Sequence, residues 1–534
     1  MRDAFAKKFE KLQSCELQTV SFFELIETIW EGPNDQPFHR FCTLMRKMKA
    51  LSYVHEELIL NQELLDEREM LRINLKSNDV DLITERLTFF ASLPLSLEWG
   101  DKKQLPENHI LGYAVIVKVM KSAQHIVTFM LESVVRPPSV VFLPYENEIF
   151  IKGITNYYLH NSRTFETILG TQEQSRKFSF LGSFFAQQNG VTSVCAHAAL
   201  RTALNSSGML NVKKLTNKYI NDSLNLSDYN PRGGLNTEQM KQVVQNLKLH
   251  FHIANFLENT TVEYDHFMYP SLESGFPTIL GLEWWDANSK SRSGHVVTVL
   301  GHTMNSDRWE PEARRGYGNY PITPYISTAE WCCHYIISDD NYGMYSTLPS
   351  DAVRNYIVPT KNPNQHVSMA ISIVPKNVIL PGYHAEQLAM FRARILINSV
   401  NLKRRRKWHE RMRDKNNLVC RTLLIPKDNY LQFIRKHNSK ITTEQNKCLN
   451  DLPEYVWVSE VSLPNIFTGN KHKLGDVVIR ANATAQQHIN GESMALAWFP
   501  GFIQLGHQLN VKEDWSIETH IPLFRHAESP LLEW

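Results

Sequence analysis

Apolar residues recur at helical spacing through FHRFCTLMRKMKALSYVHEELILNQELLDEREMLRINL, residues 38–75, where neither glycine nor proline interrupts. This pattern predicts a mainly helical region over 1–105. The pattern changes over 106–174. There HILGYAVIVKV, QHIVTFMLESVV and SVVFLPYENEIFIKGI are rich in β-branched residues and separated by turns, so they read as strands, with VVRPPS marking a break. Residues 175–380 mix the two periods. A helix is predicted from Cys195 to Leu204 and another within LNTEQMKQVVQNLKL, capped by Asn236 or Thr237. In the second, Met240, Val243, Val244 and Leu247 share a face. FPTILGLEWW, GHVVTVLGH and WCCHYIISDD follow as strands. Helices first and a strand cluster afterwards predict an α+β fold. Residues 381–534 hold a long helical pattern over 384–416, then strands in CRTLLIP, EYVWVSEVSL and GDVVIRANA. No repeat and no low-complexity linker divides these regions, so they are expected to pack on one another.

Composition narrows the function classes. The 534 residues are 43% apolar and 21% charged, ordinary for a globular chain. Lys+Arg is 57 against Asp+Glu 55, a net charge of +2, so no global field attracts nucleic acid or a membrane surface. The start, MRDAFAKKFEKLQSC, lacks the apolar core of a signal peptide, and no stretch of about 18 apolar residues exists to span a bilayer. Seven widely spaced cysteines without CxxC argue against a disulfide framework or a zinc site. A cytoplasmic protein with no membrane part is expected. The basic run KRRRKWHERMRDK has Glu410 and Asp414 interleaved and reads as a solvated helix face rather than a nucleic-acid contact. Cys332-Cys333-His334 reads as core packing, because adjacent strand residues face opposite ways. P-loop, Rossmann, HExxH and EF-hand patterns are absent, and no cofactor or metal is expected.

Three stretches could carry chemistry. In QQNGVTSVCAHAALRTAL, Cys195 falls where a polar loop becomes an alanine-rich helix, with Thr192 or Ser193 as cap. A helix N-terminus stabilises a thiolate, and its unpaired N–H groups can hold an oxyanion. Ala196, Ala199, Leu200 and Ala203 form a stripe that lets the helix lie close to its neighbour. In SGHVVTVLGH, His295 stands at a strand's entry. His302 is its rival, seven residues on and on the opposite face if the strand is unbroken. In YIISDDNYGMY, Asp339 or Asp340 at a strand end could orient an imidazole, but in extended chain only one of them can do so. Each has a bland counterpart: a buried free cysteine, a satisfied histidine, and a turn built from Asp-Asp-Asn-Tyr-Gly.

The order Cys, His, Asp is that of the papain-like cysteine peptidases. FFAQQNGVTSVCAHAAL, RGGLNTEQMKQVVQNL, FPTILGL, GHVVTVLGH and YIISDDNYG occur in sequence. Together they resemble the bacteriocin-leader-processing peptidases and their peptidase-like bacterial relatives over about 180–345. The resemblance implies a papain-like core, a Cys-bearing helix packed on an antiparallel sheet, within helical and β-rich flanks. It implies Cys195 as nucleophile, His295 as base and Asp339 as orienting residue. Asp339 is preferred to Asp340 because it lies four before Gly343, as in the family's Asp-Pro-x-x-Gly pattern. The family's oxyanion glutamine stands six before the Cys. Here that position is Asn189, and Gln188 lies seven before, so Gln188 is assigned the role with Gln187 and Asn189 as rivals. His197 replaces the proline of the family's Cys-Gly-Pro and reads as structural or cleft-lining.

The reaction implied is hydrolysis of a peptide, isopeptide or side-chain amide bond in a protein or peptide substrate. Acyl transfer at the same site, as in transglutaminase-like relatives, and an inactive peptidase fold serving as a binding scaffold are the alternatives. Leader processing itself is not carried over, because it usually accompanies an exporter and the chain has no membrane part.

Overall fold

The computed structural model describes residues 22–92, 109–137, 157–159, 161–169, 176–192, 195–210, 214–226, 234–256, 262–286, 291–303, 324–350, 366–399, 410, 418–438, 440–467, 472–508 and 511–514. Over these residues the chain mixes helices with largely antiparallel sheet, the α+β class expected. The predicted strands at 139–154 lie outside the described residues. So does the basic run at 403–415, apart from Glu410.

Three sheets organise the described residues. The first runs β1 (Ser52–Glu57), β2 (Val80–Phe90), β3 (Ile110–Lys121), β4 (Gln124–Val135), β7 (Arg176–Phe185), β6 (Arg163–Leu169). The second runs β13 (Gly343–Pro349), β12 (His334–Asp339), β10 (Ser291–Thr303), β9 (Thr278–Asp286), β14 (His366–Pro375), β8 (Leu249–Asn255), with β5 (Tyr157–Leu159) also pairing β10. The third runs β11 (Ile326–Ser327), β15 (Val419–Pro426), β16 (Tyr455–Ser462), β17 (Gly475–Arg480), β18 (Met494–Phe499), β19 (Gly501–Leu505), β20 (Val511–Asp514). Strands from both sides of the boundaries expected at 105/106 and 174/175 share the first sheet. The helices are α1 (Phe22–Ile29), α2 (Gln36–Lys47), α3 (Gln62–Leu75), α4 (Cys195–Ser207), α5 (Asn217–Ser223), α6 (Thr237–Asn246), α7 (Tyr264–Glu273), α8 (Gly382–Ser399), α9 (Lys427–His437), α10 (Thr443–Asn450) and α11 (Ala485–Ile489).

The N-terminal region departs from the helical expectation. Lys49 adopts a left-handed conformation just after α2, and SYVHEE, inside the run read as helix, is strand β1. Tyr and Val favour a pleated surface, and β1 pairs along its whole length with β2, Ser52 opposite Phe90. The helical pattern over 384–416 is described as helix over α8 and at Glu410. In α6 the cap is Asn236, whose side chain accepts from Gln239 N while the Gln239 side chain returns the bond to the cap backbone.

The site is positioned by two packing relations. α4 lays Ala196, Ala199, Leu200 and Ala203 against Ile279, Val296, Ile371 and Ile373 of the second sheet. Thr298 of β10 donates to the Ala199 carbonyl at 2.9 Å. From the other side α1 and α2 pack against Ile336, Met344 and Tyr345 of β12 and β13.

Candidate active site

Cys195 is the first residue of α4 and is half-buried. The Thr192 hydroxyl, considered as its helix cap, instead donates to Asn189 Oδ1 at 2.9 Å, and Ser193 lies outside the described residues.

β10 delivers His295 to Cys195; the strand begins at Ser291, so His295 lies within it rather than at the entry expected. The imidazole is hydrogen-bonded through Nε2 to Asp339 Oδ1 at 3.0 Å, and the Cys195 thiol lies near enough to the ring to bear on its pKa. Asp339 closes β12, is buried, and its Oδ1 also accepts the Asn341 N–H at 2.9 Å. Burial opposes the charged ring, but Asp339 by charge and hydrogen bond, the Cys195 thiol and Asp340 outweigh it. The His295 pKa is raised well above the usual imidazole value.

Asp340 corrects the expectation that only one of the two carboxylates can reach the ring. β12 loses regular register between Ile337 and Asp339, and Asp340 stands in the following turn, so extended-chain alternation no longer applies. Its Oδ1 lies 3.4 Å from His295 Nε2, and neither oxygen makes a hydrogen bond. Burial pushes its pKa up to about 7; His295 opposes this and Asp339 adds to it.

His302 is elsewhere. A bulge between Val299 and Gly301 resets the alternation of β10, and His302 turns toward α7, where Nε2 meets Glu273 Oε2 at 2.6 Å in a fully buried pair. His197 is buried and bonded through Nε2 to Asn221 Oδ1 at 2.9 Å. Burial lowers its pKa to about 4, which leaves it neutral and structural.

The rivals for the oxyanion role separate by their partners. Gln187 accepts from Met130 N and donates to the Asn34 carbonyl, both at 2.9 Å. Asn189 donates to Glu67 Oε1 at 2.8 Å and accepts from the Val191 and Thr192 N–H groups. Both amides are committed to holding the loop. Gln188 faces the histidine side, donating to Asn341 Oδ1 at 3.0 Å.

Asn341 is the site residue that sequence reasoning passed over. Its Nδ2 lies 3.3 Å from His295 Nε2. It stood in the Asp-Asp-Asn-Tyr-Gly run, where good turn chemistry accounted for it. Its signal was proximity to Asp339 on the far side of the same turn.

Among the described residues, His295, Asp339 and Asp340 bring one donor atom each within 4.8 Å of one another, a spacing their ion pairs account for. The Cys332 thiol donates to the His334 carbonyl at 3.5 Å, and burial raises its pKa, the environment of a packed thiol. Among the described residues no helix is long and apolar enough to cross a membrane. No protein-family model matches the chain, and no curated protein matches it.

The arrangement sets a helix-start thiol beside a histidine of raised pKa, with a buried carboxylate against the ring and the Gln188 amide bonded to the adjoining Asn341.

Proposed function

We propose that this chain is a papain-like cysteine hydrolase acting on a peptide, isopeptide or side-chain amide bond. The observation that carries the reading is that a helix-start cysteine, a histidine inside β10 and a strand-end aspartate, about 145 residues apart in sequence, come together: His295 Nε2 meets Asp339 Oδ1 at 3.0 Å, and the Cys195 thiol is near enough to help raise the His295 pKa. A papain-like core is supported by α4 lying on the antiparallel β8–β14–β9–β10–β12–β13 sheet, with its N-terminus at that meeting point.

The raised His295 pKa favours the proton on the ring. The thiolate attacks the acyl carbon, forming an S–C bond and moving the carbonyl pair to oxygen. Free N–H groups of the first turn of α4 and the Gln188 amide stabilise that oxyanion. The imidazolium gives its proton to the leaving amine as the C–N bond breaks. In the second half His295 takes a proton from water, hydroxide adds to the thioester, and the acid leaves as the thiolate returns. Asp339 fixes the ring through its hydrogen bond to Nε2.

Two measurements test this. Mass mapping of iodoacetamide adducts near neutral pH is expected to find Cys195 modified well before the other six cysteines. Cys195→Ala is expected to abolish turnover of an acyl substrate while changing stability by no more than about 1 kcal/mol, since alanine is a good helix former. Uniform labelling, or turnover retained by Cys195→Ala, would sink the proposal.

A further inference from the structure

Three buried carboxylate oxygens beside His295 make no hydrogen bond: Asp339 Oδ2 and both oxygens of Asp340. Asp339 and Asp340 are only 1% and 5% exposed. A buried carboxylate oxygen without a partner is costly, because nothing replaces the water it gave up. Among the described residues both carboxylates form their ion pairs with His295, Asp339 at 3.0 Å and Asp340 at 3.4 Å. Both approach the same nitrogen, Nε2, which carries at most one proton, and Asp339 Oδ1 accepts it. Those ion pairs account for the spacing of the three groups but not for the oxygens left over. A water would satisfy oxygens yet leave two anions facing one nitrogen. A cation does both.

The donor set and its spacing suit a metal ion. A tetrahedral zinc ion holds imidazole nitrogen and carboxylate oxygen at about 2.0–2.2 Å, which sets neighbouring ligand atoms about 3.3–3.5 Å apart. The two separations from Nε2, 3.0 and 3.4 Å, lie close to that edge. One donor atom from each residue lies within 4.8 Å of the others, so small side-chain adjustments close the set. Three protein ligands leave a fourth position for water. No sequence spacing marks this group, because adjacent residues of an extended strand point apart. The register break after Ile337 and the turn that follows bring both carboxylates to one nitrogen.

We propose that His295, Asp339 and Asp340 form a binding site for a divalent ion of the zinc class, and that loading it stops hydrolysis at Cys195. The second half rests on the hydrolase reading above. The ion takes the Nε2 lone pair and displaces one proton to solvent, with no change of oxidation state. The other ring nitrogen then becomes too weak a base to take a proton from water, so the thioester is not resolved.

The test is Zn2+ binding to the full chain, measured by competition with a chromophoric chelator. One ion per chain is expected. Asp340→Asn and His295→Gln are each expected to weaken binding at least about tenfold, the least that loss of an outer-sphere partner costs at such sites. Cys195→Ala is expected to bind within about twofold of wild type, because the thiol is not a ligand. X-ray absorption of zinc on the wild type needs no variant. It should show nitrogen and oxygen at about 2.0–2.2 Å and no sulfur at about 2.3 Å. Absence of binding, a sulfur shell, binding lost in Cys195→Ala, or binding unchanged in Asp340→Asn overturns the site. Turnover of an acyl substrate by the wild type is expected to fall at least about tenfold on loading, and unchanged turnover overturns the inhibitory half. If the metal-free protein neither turns over an acyl substrate nor alkylates selectively at Cys195, the hydrolase reading fails, while the binding results still decide the ion site.

Discussion

Orientation and nucleophilicity reside in different residues of the site, and Asp339→Asn separates them. The substitution keeps the shape but removes the anion that holds the His295 ring. It is expected to lower kcat by about 10²–10⁴-fold and not to zero, because an orienting residue is not the nucleophile. Asp340, 3.4 Å from the same nitrogen, supplies a second carboxylate for the remnant. Turnover measured for Asp339→Asn and for Asp339→Asn with Asp340→Asn checks this: the double variant should fall further, and equal activities would remove Asp340 from the account. Cys195 and Asp339 were legible in the chain because each stands at a boundary of an element, and His295 and Gln188 because they stand in order beside them. Asn341 and the second carboxylate were not. Both depend on how the chain turns after β12, and alternation along an extended strand predicts the wrong direction there.

At the scale of elements, the site is held by its neighbours. The loop before α4 is braced from α3: Glu67 takes hydrogen bonds from Asn189 and Asn217, while Glu63 pairs with Arg201 and Lys214. The turn after Asp339 is clamped by α2, whose Arg40 donates to the Met344 and Tyr345 carbonyls. Gly343 sits there at φ +96°, and a Cβ would come within 2.8 Å of the Arg40 Cβ, so only glycine fits without displacement. α7 offers a pH test. His266 is buried and meets Glu330 at 2.8 Å. Burial lowers its pKa, but the Glu330 hydrogen bond and the charges of Asp265, Glu330 and Glu386 raise it to about 9. A raised pKa contributes stability that is fully present below the unfolded value near 6.5 and is lost as pH rises through about 9. Urea midpoints of wild type and His266→Gln are therefore expected to differ more at pH 6 than at pH 9.5. A gap that is constant or widens with pH would show that protonation of His266 does not support the fold.

At the scale of the whole molecule, a buried chain of charges joins the second and third sheets. His302 of β10 meets Glu273 at the end of α7. Glu273 pairs with Arg421 of β15 at 2.6 Å, and Arg421 pairs with Glu460 of β16 at 3.2 Å. Lys473 links Glu460 to Asp476 of β17. Every member is nearly inaccessible to water, so removing one cation leaves carboxylates uncompensated. Arg421→Met is expected to cost about 3–5 kcal/mol of unfolding free energy. Adding Glu273→Gln should recover part of it, since the orphaned charge goes as well. Denaturant unfolding of the single and double variants measures both. A cost under about 1 kcal/mol would mean that the network contributes little to holding the sheets together.

The amino-acid sequence by itself determined the local grammar of this protein. Glycine-free periodic runs gave α2, α3 and α6, β-branched runs gave β3, β4, β9, β10 and β15–β17, and the Cys, His and Asp stood in readable order because capping, periodicity and turn chemistry act over a few residues. What only the tertiary structure decided is non-local. SYVHEE became a strand because β2 was there to pair with it. His302 lies seven residues along β10 from His295 and was claimed by Glu273 of α7. Gln187 and Asn189 were spent on Met130, Asn34 and Glu67, leaving Gln188 to face the histidine. Each of these outcomes turns on a partner about 30 to about 150 residues away, and no local pattern carries the free energy of a contact whose other half lies that far along the chain.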